Sequence, residues 1–256
     1  MKLALFLWMI AGVAAYSAPI QFASSEKQTA LVELYTSEGC SSCPPAEAWL
    51  SKLKNASGLW TNFVPVAFHV AYWNHLGWRD KLSDEQFSAR QQSYAELWSA
   101  ENIYTPEFVL NGKEWHNWLG IRGAPAASAS KPGVLQVTSN DGRHWQAKFT
   151  PHESGNTDYE ISVAVLIGDL GTDVKAGENA GRHLQHDFAA VSLVTLPLAS
   201  KTNTCSFVVD DHPKGISGRL ALAVWVTRAG KLEPLQATGG WLPKPEELNT
   251  SGASKD

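Results

Sequence analysis

The chain has 256 residues, which is enough for one large domain or two small ones. A hydrophobic fraction of 44% and a charged fraction of 18% are typical of globular proteins and exclude a largely disordered chain. The formal net charge of −4 gives no electrostatic reason to expect binding to nucleic acid or to an anionic membrane.

The first residues have the layout of a secretory signal. Lys2 supplies a positive charge, and residues 3–13 form an apolar run that is too short to span a bilayer comfortably. Val13 and Ala15 are small residues that suit cleavage after Ala15. We therefore expect export, with residues 1–18 as signal peptide and leader and no stable membrane insertion after cleavage. An uncleaved membrane anchor is the alternative.

The most informative stretch is residues 31–53, LVELYTSEGCSSCPPAEAWLSKL. Its apolar start predicts a buried strand, and a short loop then leads to Cys40-Ser41-Ser42-Cys43. Pro44-Pro45 suits the first turn of a helix, because the amide hydrogen that Pro lacks would have no partner there. The cysteines thus stand near a helix N-terminus, which favours a thiolate. A redox dithiol is the preferred interpretation; a structural disulfide or part of a metal site are the alternatives.

Two other residues are assigned structural roles. Cys205 lies far along the chain in a strand-like context and is expected to be a buried apolar thiol. Glu33 lies on the first predicted strand, and strand alternation favours a solvated face for its side chain. The alternative is a buried carboxylate that shuttles protons near the C-x-x-C.

A second buried strand is predicted over residues 62–70, NFVPVAFHV. A loop over residues 71–81 follows, and a helix then begins near Ser83. Strand–helix–strand–helix is the order of a parallel α/β layer, in which ligands bind beyond the carboxyl ends of the strands. The side chains expected to bury one face of this helix are Phe87, Tyr94, Leu97 and Trp98.

Several residues after the second strand are candidates for the site. His69 is either a proton acceptor for the thiolate or, as we prefer, a strand-end histidine hydrogen-bonded in a polar rim. Trp73 and Trp78 could form an aromatic wall for a peptide, although packing of the loop onto the fold is the preferred explanation. The candidate substrate-binding residues are Thr105, Trp73, Tyr72 and His69.

The segment YTPEFVLNG, residues 104–112, predicts a strand that enters a hairpin. Asn111-Gly112 is a strong hairpin signal, and Pro106 is best tolerated at the first residue of a strand because it cannot donate a ladder hydrogen bond.

Three segments occur in a fixed order: LYTSEGCSSCPPAE, FHVAYWNHLGWRD and YTPEFVLNG. A C-x-x-C after a strand, followed by a Thr-Pro that opens a hairpin, resembles the thioredoxin superfamily. The three segments together resemble the exported bacterial family catalogued as domain of unknown function 1223, over residues 31–112 and weakly over residues 177–182. Membership of that family implies no particular activity.

The resemblance implies roles for four residues. Cys40 would be the exposed attacking cysteine and Cys43 the more buried resolving one. Pro106 would follow a cis peptide bond and lie against the sulfurs, and Thr105 would present its backbone to a bound peptide.

The sequence departs from the resembled pattern in several places. Gly39 stands where the superfamily often has Trp, and Ser41-Ser42 stands where a Pro is common. Ala71 and Asn74 stand where the family often has Asp, so any proton transfer by those carboxylates is lost here.

The second half of the chain is rich in predicted strands. They span residues 134–139, 144–151, 159–167, 188–198, 205–210 and 219–228. Little helix lies between them, which favours an antiparallel sandwich. The predicted fold class is therefore an α/β thioredoxin-like domain followed by an antiparallel β-sandwich-like domain. The predicted boundaries are 1–18 for the signal peptide and leader, 28–122 for the thioredoxin-like domain, 123–133 for a linker, 134–242 for the β-rich domain and 243–256 for a disordered tail.

The sequence favours a thiol–disulfide oxidoreductase that acts through Cys40 and Cys43 on protein or peptide disulfides, with a periplasmic redox partner. The alternative is a non-catalytic binding or scaffold protein with a static Cys40–Cys43 disulfide. No cofactor and no metal are expected: a carrier of metal is the weakest hypothesis, and His183-x-x-His186 with Asp187 is a weak metal motif. No phosphate-binding glycine loop and no H-E-x-x-H motif occur.

Overall fold

The computed structural model describes residues 18–120, 124–125, 128–153, 155, 157–210 and 216–243. Almost all of the expected signal peptide and tail, and part of the expected linker, lie outside the described residues.

The described residues contain two α-helices and two large sheets. The helices are α1 (Pro44–Lys52) and α2 (Glu85–Trp98). The strands are β1 (Ile20–Ala23), β2 (Ala30–Thr36), β3 (Phe63–His69), β4 (Glu107–Leu110), β5 (Lys113–Glu114), β6 (Gly133–Ser139), β7 (His144–Pro151), β8 (Tyr159–Gly168), β9 (Leu170–Asp173), β10 (His183–His186), β11 (Ala189–Pro197), β12 (Thr204–Val208), β13 (Arg219–Arg228) and β14 (Gln236–Trp241).

An eight-stranded mixed sheet has the order β14-β13-β8-β11-β3-β2-β4-β5, and a four-stranded antiparallel sheet has the order β1-β6-β7-β12. β9 and β10 form a separate two-stranded ribbon. The eight-stranded sheet therefore includes strands from both sides of the expected linker.

The register of the central strands assembles one edge of the large sheet. β2 and β3 are parallel, with Thr36 opposite His69, so their carboxyl ends lie side by side. β4 returns antiparallel to β2, with Glu107 opposite Tyr35, and thereby brings its own start to the same edge. The C-x-x-C loop, the end of β3 and the start of β4 consequently lie together.

Both faces of the large sheet are buried, because successive side chains of a strand point to opposite faces. One buried cluster packs Leu34 and Phe68 with Phe87 of α2 and also includes Ala164 and Leu166 of β8. The other cluster lies between the two sheets. It includes Leu135, Val137, Trp145 and Phe149 with Ile161, Val163, Val165 and Ile167. β8 thus contributes alternate residues to two cores.

The predicted fold class is wrong. The structure is mostly β-sheet, with a large mixed sheet and an antiparallel sheet instead of an α/β thioredoxin-like domain followed by a sandwich. Most of the predicted strands are present, but composition does not reveal pairing: β8, β11, β13 and β14 extend the sheet that holds β2 and β3. The predicted domain boundaries remain a prediction.

Glu33 and Leu97 also differ from expectation. Glu33 is fully buried because both faces of β2 are covered, so the two-sided pattern of an exposed sheet does not apply. α2 buries Phe87 and Tyr94 as predicted, whereas Leu97 is 45% exposed.

β14 is one of the strands that the sequence analysis does not predict, and its glycines explain why. A Cβ atom at Gly240 would lie 2.2 Å from a ring carbon of Phe22, and one at Gly239 would lie 2.4 Å from the carbonyl oxygen of Leu222. Close packing of β14 against β1 of the other sheet and against β13 of its own sheet therefore requires residues that sequence patterns associate with turns. Within the described residues, no helix has both the length and the apolar character needed to cross a bilayer.

Candidate functional site

Cys40 and Cys43 form a disulfide at the start of α1. Their Cα atoms are 5.5 Å apart, Cys43 is the N-cap of the helix, and Pro44 and Pro45 occupy its first turn, as predicted. Cys40 is 1% exposed and Cys43 is fully buried, whereas the two intervening serines are exposed. The resemblance implied an exposed Cys40, so in the disulfide form this sulfur is more enclosed than expected.

The Thr105–Pro106 peptide bond is cis, as the resemblance implied. The carbonyl oxygen of Thr105 lies 3.7 Å from Cys40 Sγ and accepts a 3.4 Å hydrogen bond from the hydroxyl of Ser42. Ser42 Oγ is also 3.2 Å from Cys40 Sγ. The structure therefore brings Thr105 and Cys40 together through the register of β4 on β2.

Trp73 connects the loop after β3 to Thr105, the residue beside Cys40. Its indole Nε1 donates a 2.8 Å hydrogen bond to Thr105 Oγ1. A Cβ atom at Gly39 would lie 3.1 Å from Trp73 Cβ, so Gly39 allows the C-x-x-C loop to approach this side chain. Trp73 packs the loop onto the fold, as preferred from sequence, and it also fixes the side chain of Thr105.

Tyr72 holds the segment before Pro106 through Gln91. The hydroxyl of Tyr72 donates to Gln91 Oε1 at 3.1 Å, and Gln91 Nε2 donates to the carbonyl of Tyr104 at 2.7 Å and to the carboxylate of Glu107. Burial, with a smaller contribution from Glu107, raises the pKa of Tyr72 to about 12, so the phenol stays protonated at neutral pH.

Glu107 is a buried carboxyl group next to Pro106. It is 5% exposed. Burial raises its pKa to about 7, because the Gln91 hydrogen bond does not outweigh desolvation and the negative charges of Glu114 and Glu33. Sequence reasoning did not identify Glu107.

A loop between β9 and β10 covers the C-x-x-C loop. Asn179 Nδ2 donates to the carbonyl oxygens of Glu38 and Cys40, each at 2.9 Å, and Glu178 accepts from the amide of Ser41 at 3.0 Å. Arg182 donates to Asn179 Oδ1 at 2.7 Å. The only sequence signal for these contacts was the weak resemblance over residues 177–182.

His69 lies in a buried polar cluster and not in an exposed rim. Its Nδ1 is 2.7 Å from Asp80 Oδ2, and both side chains are fully buried. Asp80 also accepts from the amides of Glu38 and Leu82 at 3.0 and 2.9 Å. Among the described residues, His69 makes no hydrogen bond to either sulfur, so its direct role as a base for Cys40 is not supported.

His186 of β10 lies beside His69. Its Nδ1 is 2.5 Å from Glu47 Oε2, and its Nε2 is 3.1 Å from Glu38 Oε1, close enough for an ion pair but outside hydrogen-bond geometry. Thr36 donates to Glu47 at 2.7 Å. The two imidazole rings meet edge to face, with centroids 5.1 Å apart.

The carboxylates control the protonation of this cluster. Burial lowers the pKa of each histidine, but Asp80 and Glu47 outweigh this effect at His69, and Glu47 and Glu38 raise the pKa of His186 to about 10. Conversely, burial raises the pKa values of Glu47 and Asp80, but the neighbouring histidines outweigh it and lower both. The cluster therefore favours positive charge at its centre.

The weak His183-x-x-His186 motif does not assemble as a joint metal site. His183 is exposed and its Nδ1 lies 2.7 Å from Asp173, whereas His186 points into the buried cluster and Asp187 binds Lys54 at 2.9 Å. Cys205 is half-buried on β12, and burial raises the pKa of its thiol to about 11, which makes it an inert thiol.

Two solved structures resemble this chain. Protein AGR_C_4864 from Agrobacterium tumefaciens is 23% identical with a TM-score of 0.61, and the match covers 85% of this chain and 95% of that one. HBP35 of Porphyromonas gingivalis is 11% identical with a TM-score of 0.53, and the match covers 86% and 76%. At these identities the likeness concerns the fold alone. No curated protein matches the chain.

The narrower of the two resemblances is confirmed, while placement in the thioredoxin superfamily remains a prediction. The family model described as protein of unknown function (DUF1223) matches residues 31–227, which include the C-x-x-C, the Thr105–Pro106 bond, the Asn179 loop and His186. The chain therefore belongs to the family DUF1223.

Proposed function

We propose that the protein is an exported thiol–disulfide oxidoreductase that acts on protein disulfides through Cys40 and Cys43. The observation that carries the proposal is the Cys40–Cys43 disulfide at the N-terminus of α1 with the Thr105 carbonyl beside the Cys40 sulfur. Amide groups and the dipole at a helix N-terminus stabilise a thiolate, which is the species that attacks disulfides.

The reaction transfers two electrons and two protons from a dithiol to a disulfide. In the reduced protein, the Cys40 thiolate attacks one sulfur of a substrate disulfide, and the other substrate sulfur leaves as a thiolate. Cys43, once deprotonated, attacks Cys40 in this mixed disulfide. The Cys40–Cys43 disulfide forms, the substrate is released as a dithiol, and a periplasmic redox partner restores the starting state. The reverse sequence oxidises a substrate dithiol.

No cofactor takes part in this exchange. Substrate would approach over the exposed Ser41-Ser42 turn, next to Thr105 and Trp73. Since Cys40 is 1% exposed, the contacts of Glu178 and Asn179 with the C-x-x-C loop must loosen before a substrate sulfur can reach it in line.

The second candidate function is a non-catalytic binding or scaffold protein with a static disulfide. The same burial of Cys40, with two hydrogen bonds from Asn179 over its loop, favours this alternative. A static disulfide needs neither an accessible sulfur nor a lowered thiol pKa.

The pH dependence of Cys40 alkylation in the reduced protein distinguishes the two. The measurement uses Cys43→Ser with Cys205→Ser, so that Cys40 is the only thiol. An oxidoreductase should be alkylated rapidly well below the ~8.5 pKa of an ordinary thiol. Slow alkylation, or titration like a free thiol, would reject the oxidoreductase and leave the scaffold.

A further inference from the structure

The buried histidine cluster has two nitrogen atoms without a hydrogen-bond partner in the part of the chain that the structure describes. Both Nδ1 atoms face carboxylates, Asp80 for His69 and Glu47 for His186. Both Nε2 atoms are buried, and no atom of the described residues forms a hydrogen bond with them. His69 is fully buried and His186 is 1% exposed, so bulk water does not supply the missing partner at either ring.

This orientation is the one that metal-binding histidines adopt. A ligating histidine donates its other ring N–H to a carboxylate or carbonyl, which fixes the tautomer and leaves a lone pair free for the metal. Here two histidines have that arrangement and their rings are in contact. If both Nε2 atoms instead carried protons, the buried donor of His69 would lack an acceptor, and that of His186 would face Glu38 Oε1 at 3.1 Å outside hydrogen-bond geometry.

The negative charge of the cluster also favours a bound cation. Three carboxylates, from Glu38, Glu47 and Asp80, are nearly or fully buried around the two rings. Metal binding requires both imidazoles to be neutral, which leaves three negative charges on the carboxylates; one divalent cation then takes the place of the protons that the histidines otherwise hold and reduces the excess to one. Trp78 Nε1 and Thr36 Oγ1 donate to Glu38 and Glu47, so the carboxylates are also held in place.

We propose that Glu47, His69 and His186 bind a divalent transition-metal ion of the Zn²⁺ class. One ligand atom from each of these residues lies within 4.8 Å of the other two, so small side-chain shifts suffice for coordination. Glu38 is the fourth candidate ligand, since its Oε1 is 3.1 Å from His186 Nε2. Two imidazoles with carboxylate oxygens form a donor set suited to Zn²⁺.

The site would be structural. All of its ligands are protein groups and they are nearly or fully enclosed, whereas catalytic zinc sites keep a position open. The metal would connect three elements: the end of β3, the helix α1 that begins directly after the C-x-x-C, and β10. It does not use the cysteines, and it does not depend on the oxidoreductase proposal.

Metal titration of the full-length protein tests the site. The protein is stripped with a chelator, kept with Cys40–Cys43 oxidised so that thiolates cannot bind metal, and titrated with Zn²⁺ by calorimetry and with Co²⁺ by visible absorption. We expect one ion per chain. His69→Gln and His186→Gln should each weaken binding by at least about tenfold, and Asp80→Asn, which removes the negative charge beside His69 Nδ1, by about 10- to 100-fold.

The matched control is His183→Gln, which removes an exposed histidine three residues from His186 and should leave Zn²⁺ affinity unchanged. Where a cluster variant fails to fold, ¹⁵N imidazole spectra of the unaltered protein decide: Zn²⁺ should move the Nε2 resonances of two of its eight histidines. Absence of saturable binding, unchanged imidazole spectra, or binding that survives both cluster substitutions would overturn the proposal.

Discussion

At the residue scale, Glu33 shows how a single buried charge is retained. Its carboxylate receives hydrogen bonds from Arg90 at 2.7 and 3.1 Å and from the hydroxyls of Tyr94 and Tyr35 at 2.7 and 3.1 Å. Each oxygen is thus satisfied, which is the condition for burying a carboxylate away from water. Alternation in the sequence could not reveal this, because it distinguishes core from solvent only when one sheet face is exposed.

Substitution of Glu33 by Gln should be strongly destabilising. The Arg90 guanidinium, whose side chain is 10% exposed, would lose its counter-charge in a buried site. We expect a decrease of about 3–5 kcal/mol in the free energy of unfolding, measured by urea denaturation. Glu26→Gln breaks an exposed pair with Lys131, 3.5 Å apart, and should cost less than about 1 kcal/mol. Equal effects of the two substitutions would contradict this account.

Glu107 predicts a pH dependence of stability. Its pKa is about 7 in the fold and 4.5 when exposed, so between these values the native state binds a proton that the unfolded state has released. The free energy of unfolding therefore falls as pH rises from about 4.5 to 7, by roughly 1–3 kcal/mol from this group.

Glu107→Gln should remove that contribution, because the amide is neutral at every pH and can still accept from Gln91. The measurement is the difference in unfolding free energy between variant and parent at pH 5 and pH 8, which cancels the other titrating groups. If the variant gains no stability relative to the parent between pH 5 and pH 8, then the pKa of Glu107 is not raised in the fold and the prediction is wrong.

At the element scale, strands with a clear alternating pattern were predictable. β7 and β13 have the predicted bounds, and β6 and β8 differ by one residue at an end. The short strands β1, β9 and β10 were not predicted, because four residues carry too little periodicity and their conformation depends on a partner strand.

The loop between β9 and β10 controls access to the disulfide. Asn179 is fully buried and both of its donated hydrogen bonds end on the C-x-x-C loop. Asn179→Ala removes them, and at about 1 kcal/mol each the loop should open more often. We expect the Cys40–Cys43 disulfide to be reduced by dithiothreitol roughly 30-fold faster, since about 2 kcal/mol in total corresponds to that factor.

Lys175→Ala is the control for this loop, because Lys175 is exposed and its 3.6 Å contact with Asp173 is a surface ion pair. In this variant the Cys40–Cys43 disulfide should be reduced at the same rate as in the parent. An unchanged rate in a folded Asn179→Ala protein would mean that the covering loop does not limit reduction.

At the scale of the whole molecule, sequence reasoning located the part of the site that is close together in the chain. Cys40, Cys43 and Pro106 all belong to short motifs with recognisable turn chemistry. Asn179 and His186 lie 139 residues from their partners Cys40 and Glu47, and no local pattern specifies such contacts. Local propensity predicts elements, whereas pairing between distant strands determined where the second half of the chain lies.

That pairing predicts that the first half does not fold alone. Ala67 of β3 pairs with Ala189 of β11, and the cluster around Leu34 and Phe68 is completed by side chains from β8, β11, β13 and β14. A fragment of residues 18–120 would expose this apolar surface to water, at about 25 cal/mol for each Å² that stays unburied. We expect it to show poorly dispersed ¹H–¹⁵N spectra and no cooperative thermal transition, whereas residues 18–243 unfold in one transition. A cooperative transition in the shorter fragment would establish residues 18–120 as an independent folding unit, and β8, β11, β13 and β14 would then be an accessory to the site and not part of its core.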